Sequence, residues 1–348
     1  MSLCQNNCGL KVYLAPMEGL TGFSYRNAFD KYFGAGRVEK YFTPFISPNS
    51  SMSLMTKELR DIDPANQGDG MKVIPQVLTN KADEFIWTAK KLVTGLGYDE
   101  ININMGCPSG TVVSKDRGSG ILKNPALIDK MLYEIFSDSY IIDSKVKISV
   151  KTRLGFADKS EFRDILKVFN KYDLEELIIH PRVRSDFYKN EVDYDSFDYA
   201  IRESSNPLVF NGDIFTVKDI CYFRERFPNE DKLMLGRGLI ADPGLISVLA
   251  DPFPQKHERD LIEDRRRMKL MLDEVLSSYV EIMHPDKNAI HRMKELWCYM
   301  EYSFSDCKRE IKDIKKAQNI YAYKDAVKVF FNNAKLQPKE HIRFAGKY

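Results

Sequence analysis

Asn102-Ile103-Asn104-Met105-Gly106-Cys107-Pro108 closes an alternating run that begins at Tyr98 and reads as a β-strand. Gly106 and Pro108 end that strand, since glycine gives nothing to pack and proline cannot donate to a ladder. Cys107 therefore falls just past the carboxyl end of a strand, on a turn shaped by glycine and proline. In an α/β barrel or an open α/β sheet that end carries the chemistry. A free cysteine also serves as a small buried hydrophobe, so the rest of the chain decides between the two readings.

Outward from this stretch, short apolar runs recur at 11–16, 40–45, 72–78, 98–104, 147–153, 176–182, 207–212 and 232–237. Helical patterns separate them at 21–33, 80–95, 124–137, 160–172, 193–204, 216–226 and 243–250. Thr79-Asn80, Asn124-Pro125, Ser160 and Thr216 are suitable caps or first-turn residues. Strands alternating with helices imply βα units and a parallel sheet. Eight such units in about 250 residues predict a (β/α)8 TIM barrel. Residues 46–70 form a long polar connection, which in a barrel marks a functional or mobile loop.

The strand ends are too polar for a simple core. They read Ala15-Pro16-Met17-Glu18-Gly19, Pro75-Gln76, the cysteine turn, Lys151-Thr152-Arg153, His180-Pro181-Arg182, Asn211-Gly212-Asp213 and Gly236-Arg237-Gly238. On one face of a parallel barrel they converge on one pocket. The glycines after the seventh and eighth strands, with Arg237, suit a phosphate. Lys151 at the barrel mouth needs an anionic or carbonyl partner, and a flavin ring offers one. Gln76 and Lys151 are placed to hold such a ring, with His180 near ring or phosphate.

The alternation stops near residue 252, at Pro252-Phe253-Pro254. Residues 257–283, 286–303, 305–319 and 322–334 read as helices, with Pro285 a break, so a small helical bundle is expected over 253–348 after a barrel over 1–252. Residues 1–254 hold 32 Lys+Arg against 35 Asp+Glu, a net of −3, whereas 255–348 hold 20 against 15, a net of +5. Within the tail, 308–348 carry 11 basic and 4 acidic residues, a net of +7. That asymmetry predicts a polyanionic partner at the C-terminal end. Arg292, Lys308, Lys312, Lys315 and Lys316 are its candidate cations, while Trp297 and Tyr299 are expected in the core. No apolar run approaches the roughly 18 residues of a membrane span, and the start of the chain has no signal-peptide core. Cysteines 4, 8, 107, 221, 298 and 307 are scattered, with no second pair to make a zinc site of Cys4 and Cys8. A reduced, cytoplasmic, metal-free monomer is expected.

Taken in order, these motifs resemble the tRNA-dihydrouridine synthases, flavin-dependent reductases of uridine in RNA. The markers are Leu14-Ala15-Pro16-Met17-Glu18-Gly19 with Phe23 and Arg26, Gln76, and Asn104-Met105-Gly106-Cys107-Pro108 with Gly118 and Gly120. They continue as Val150-Lys151-Thr152-Arg153-Leu154-Gly155, His180-Pro181-Arg182-Val183-Arg184, Asn211-Gly212-Asp213-Ile214 and Gly236-Arg237-Gly238. Pro181, Val183 and Asp186 stand where many members have Gly, Thr and Gln, and Asp242-Pro243 where many have Asn-Pro. These departures fall on the substrate side.

The resemblance implies FMN across the barrel mouth and NADPH as its reductant. Pro16 and Met17 would back the ring, Gln76, Lys151 and His180 would contact it, Asn211, Gly212, Gly236 and Arg237 would line the phosphate end, and Asp213 would be a further cofactor-binding residue. A uridine of tRNA would enter turned out of its stack. Hydride would then reach carbon 6 of uracil and Cys107 would protonate carbon 5. Asn104 would bind the uracil edge, with Arg153 and Arg184 aiding the substrate. The rival expectations are a flavin barrel acting on a small molecule, a dihydrouridine synthase acting on other RNA, and an RNA-binding protein that keeps the fold without turnover.

Overall fold

The apolar runs become the strands of one parallel barrel in the computed structural model, which describes residues 9–337 and Ile342. The strands are β1 (Lys11–Leu14), β2 (Val38–Phe42), β3 (Val73–Ile74 and Gln76–Val77), β4 (Glu100–Met105), β5 (Lys147–Gly155), β6 (Leu177–Val183), β7 (Leu208–Phe210) and β8 (Lys232–Leu235). Counting the two pieces of β3 separately gives a 9-stranded sheet, and it closes on itself through β3. Tyr41 of β2 pairs with Val73, and Asn102 of β4 pairs with Gln76. Pro75 has no N–H for the ladder, but its carbonyl accepts Asn102 N–H at 2.9 Å.

Strand alternation sorts the side chains into two populations. Ile101, Ile103 and Met105 of β4 join the apolar shell beneath the helices. Tyr13, Ala15, Phe42, Ile74, Ile178, Val209 and Met234 form a separate apolar cluster inside the barrel. At its amino-terminal end lies a buried charge cluster, with Lys40 Nζ 2.8 Å from both Glu100 and Glu176. Tyr13 and Lys232 also donate to Glu176, at 2.6 and 2.7 Å. Burial pulls the Lys40 ammonium down, yet its contacts with the two carboxylates outweigh this and hold it above the ordinary lysine value.

The helices fall where their periodicity predicts. Asn124 caps the helix Pro125–Phe136 by accepting from Leu127 N–H, and Thr216 with Asp219 forms a capping box on Val217–Arg226. Thr216→Ala is expected to lower stability by about 1 kcal/mol in chemical denaturation. The connection over 46–70 differs from its reading as a loop, for it contains the helix Thr56–Ile62 and the turn Pro64–Asn66. Arg26, fully buried, holds it by donating to Asp61 O at 2.7 Å and Gln67 Oε1 at 2.9 Å. A helix this short among polar residues leaves little periodicity to read.

The tail consists of the helices Leu261–Ile282, Lys287–Met300, Lys308–Lys316 and Ile320–Asn333, plus an antiparallel pair of Phe304–Ser305 with Lys335–Leu336. Trp297 is in the core as expected, and its Nε1 donates to Tyr323 Oη at 2.8 Å. The tail helices pack on the barrel helices Phe23–Phe29 and Arg237–Ala241, and one apolar cluster runs through both parts. Asp242 takes part in this junction, with Arg259 bridging it at 2.6 Å and Asp264 at 2.8 Å. Among the described residues no helix is long and apolar enough to cross a membrane. Cys4, Cys8, Lys339, Arg343 and Lys347 lie outside the described residues.

Candidate active site

The turn that carries Cys107 is fixed from three sides. Asn104 Oδ1 accepts from the N–H groups of Gly106 at 3.1 Å and Cys107 at 3.0 Å. Ser119 donates to the Cys107 carbonyl through its N–H at 3.0 Å and its hydroxyl at 2.8 Å. Gly118 has φ +56°, and a Cβ there would lie 2.8 Å from the Cys107 carbonyl oxygen, so glycine is required on both counts. The thiol is partly buried and unbonded to another cysteine. Burial first of all pushes it above its ordinary value of 9.0, with the Ser109 backbone, Arg153 and Lys151 opposing. At neutral pH it is a protonated thiol.

Cys107 opens on a cavity of about 620 Å³ at the carboxyl ends of the strands. Pro16, Met17, Gln76, Asn104, Lys151, Arg153, His180 and Arg237 line it as well, so four strand ends, those of β3 to β6, and the segments after β1 and β8 meet there. The other candidates lie off its wall. Asn211 Nδ2 donates to Met234 O at 2.7 Å, and Asp213 is ion-paired with Arg182 and Arg237. Close packing accounts for two glycines of the phosphate corner: a Cβ on Gly212 would reach the Phe210 ring at 2.4 Å, and one on Gly238 the Ile214 carbonyl oxygen at 2.1 Å. One on Gly236 would meet Met17 Sδ at 2.8 Å. Arg184 stacks over Phe156 and Phe187, at 5.4 and 4.9 Å to the ring centroids.

On the cavity wall the basic residues Lys151, Arg153, Arg237 and Arg292 outnumber the carboxylates Glu18 and Glu295, which makes it electropositive. His180 is held well below its ordinary value by burial and then by Arg153, Lys151, Arg182 and Arg237, so its ring is neutral. Arg182 Nη1 lies 3.0 Å from His180 Nε2. Guanidinium only donates, so Nε2 accepts and the ring proton sits on Nδ1. Lys151 has no hydrogen bond or ion pair to a described residue, and burial together with Arg153 brings its ammonium down to about 7.

Arg153, expected to aid the substrate, lines the cavity and also holds its frame. Its guanidinium donates to the carbonyls of Gly106 at 3.0 Å, Val183 at 3.0 Å and Phe187 at 2.9 Å. It thus joins the cysteine turn to the segment after β6. Arg153→Lys leaves part of this set of buried carbonyls without donors and is expected to cost about 2 kcal/mol of stability, measured by urea titration.

Several wall residues have no strand-end signature. Arg292, Glu295 and Tyr299 arrive from the tail helix Lys287–Met300, and Phe45 and Tyr188 from connections. Arg292, a candidate cation for the polyanionic partner, lies against the barrel, since a Cβ on Gly19 (φ +76°) would be 2.2 Å from its Nη1, so the tail seats directly on the segment after β1. Their spacing, 292, 295 and 299, is one helix face. Nothing in the sequence says what that face meets.

A model of the dihydrouridine synthase (Dus) family matches residues 13–335. A tRNA-dihydrouridine synthase B of Pasteurella multocida is 29% identical over 240 residues, 69% of this chain and 68% of its own. A probable tRNA-dihydrouridine synthase of Rhizobium leguminosarum is 30% identical over 269 residues, 75% of this chain and 78% of its own. One of Helicobacter pylori is 25% identical over 335 residues, covering 94% and 93%. With the family model spanning both barrel and tail, the chain belongs to the dihydrouridine synthase family, enzymes that are flavin-dependent oxidoreductases.

Proposed function

We propose that this protein reduces a uridine of tRNA to 5,6-dihydrouridine, with FMN in the barrel-mouth cavity, NADPH as reductant and Cys107 as proton donor. The observation that carries the reading is a protonated thiol opening on an electropositive cavity of about 620 Å³, within the range of cofactor sites. The residues present fit FMN. Lys151 is half-buried with no partner among the described residues, and Arg237 adds a second cation on the same wall. In this reading Pro16 and Met17 would back the ring, Gln76, Lys151 and His180 would hold its polar edge, and Arg237, paired with Asp213, would serve the phosphate end. Bound FMN supplies the hydride that reaches carbon 6 of uracil.

The chain's own residues supply the rest. Asn104 orients the base, and Cys107 gives its thiol proton to carbon 5, the enolate carbon that hydride addition creates. The thiolate left behind takes a proton back from water. A stacked base cannot reach a barrel floor, so the uridine must be turned out of its strand. The names of the relatives, together with the basic tail, point to tRNA as the polyanion.

The test is a site-by-site map of dihydrouridine in RNA from cells lacking the protein, complemented with wild type or Cys107→Ala. Loss at defined tRNA positions, restored by wild type alone, is expected. A map unchanged by deletion, in cells without a second enzyme for those sites, contradicts the proposal.

A further inference from the structure

A ladder of polar side chains crosses the barrel interior from the buried charge cluster to the cysteine turn. Ser149 Oγ donates to Glu100 Oε1 at 3.3 Å, and Asn102 Nδ2 donates to Ser149 Oγ at 2.9 Å. Gln76 Nε2 donates to Asn102 Oδ1 at 2.7 Å, and Asn104 Nδ2 to Gln76 Oε1 at 2.7 Å. Cys107 N–H then donates to Asn104 Oδ1 at 3.0 Å. Strand register builds it, since Asn102 pairs with Ser149 on one side and with Gln76 on the other.

Each amide in the ladder has two ends that a half-turn would exchange. The ends of the ladder cannot exchange. A backbone N–H only donates, and Glu100 Oε1, which also accepts from the Lys40 ammonium at 3.0 Å, accepts. Between a fixed donor and a fixed acceptor, one orientation of all three amides satisfies every bond. Turning any one of them sets N–H against N–H and oxygen against oxygen, at about 1–3 kcal/mol for each bond left unmade in the buried part of the ladder. Asn102, Ser149 and Gln76 are all fully buried.

We propose that Asn102 and Ser149 are positioning residues, which carry the acceptor character of Glu100 to Gln76 and Asn104 and so set the hydrogen-bonding face beside Cys107. In this orientation the amide oxygens of Gln76 and Asn104 are engaged within the ladder. Each keeps one N–H for the cavity that both residues line, so that wall offers donors to carbonyl oxygens. The effect on turnover rests on the uridine-reduction reading above, whereas the polarity of the ladder does not.

The test compares Asn102→Leu with Asn102→Asp. Leucine keeps the shape and removes both links. Aspartate keeps the acceptor that Gln76 needs and can accept a hydrogen bond from the Ser149 hydroxyl, but sets a second carboxylate near Glu100. Dihydrouridine formation on tRNA is expected to fall at least about tenfold in Asn102→Leu, with KM for tRNA within about threefold of wild type. Asn102→Asp is expected to turn over at least about fivefold faster than Asn102→Leu while melting at a lower temperature, an order that stability alone would reverse. In ligand-free protein, deuterium exchange of the peptide carrying Gly106 and Cys107 is expected to accelerate in Asn102→Leu and less in Asn102→Asp. Ser149→Ala, which deletes one hydroxyl, gives the same signs at smaller size should Asn102→Leu not fold. Wild-type exchange and turnover in Asn102→Leu, or an aspartate variant as slow as the leucine one, overturns the positioning role. If wild type makes no dihydrouridine but the exchange pattern holds, the uridine reading fails and the ladder stands.

Discussion

Cys107→Ala is expected to slow dihydrouridine formation on tRNA by about 10²–10⁴-fold, the range lost with a positioned general acid. The loss should fall on kcat, because the thiol gives its proton only as negative charge develops on the base. Flavin content and KM for tRNA should stay near wild type, since the turn is held by Asn104, Ser119 and Arg153 through backbone atoms that alanine keeps. Cys107→Ser should recover little, for a hydroxyl is a much weaker acid than a thiol. Burial holds the thiol above 9.0, so the acid form persists throughout the neutral range and Cys107 contributes loss of rate only as pH rises beyond that value. Single-turnover reaction of pre-reduced enzyme with tRNA measures the step directly. An alanine variant at more than about a third of the wild-type rate would remove Cys107 from the proton transfer.

The sequence made the barrel legible because each strand has a distinct outer face. Ile101, Ile103 and Met105 alternate with Glu100, Asn102 and Asn104, and the apolar set alone announces a strand. The polar set also held information. Inward-facing polar residues in a closed barrel need partners there, but no local pattern around Glu100 and Asn102 names Lys40 on β2, Gln76 on β3 or Ser149 on β5. The cavity wall from Pro16 to Arg237 was readable because strand ends in a parallel barrel share one rim. Asp213 and Arg184 share that rim in sequence and miss the wall, since one is drawn to Arg182 and Arg237 and the other to two aromatic rings. The tail's part in the cavity was illegible. Packing of Arg292 on Gly19 is a contact between segments far apart in the chain, and no local pattern encodes it.

Lys151 should make FMN affinity depend on pH, and the sign follows from its ammonium lying at about 7 rather than 10.5. Below about 7 the folded, ligand-free protein carries the charge in spite of its burial and the neighbouring Arg153. Between 7 and 10.5 the folded protein binds fewer protons here than the unfolded chain does, so stability rises with pH across that window. Lys151→Met should therefore raise the melting temperature of the ligand-free protein at pH 6 by a few degrees, on the order of 2–6 °C, with the gain shrinking towards pH 10. An anionic or carbonyl partner favours the ammonium, so binding above pH 7 must take up a proton. Affinity of the apoprotein for FMN should then weaken by up to about tenfold per pH unit above 7 until the lysine of the complex itself titrates. In Lys151→Met the affinity should be lower at pH 6 and this slope absent, which separates Lys151 from ionisation of the FMN phosphate, common to both proteins. Quenching of flavin fluorescence at pH 6, 7, 8 and 9 supplies the affinities. Equal slopes in wild type and variant would mean that the buried ammonium is not the partner of the flavin, and that its burial without a carboxylate serves the RNA instead.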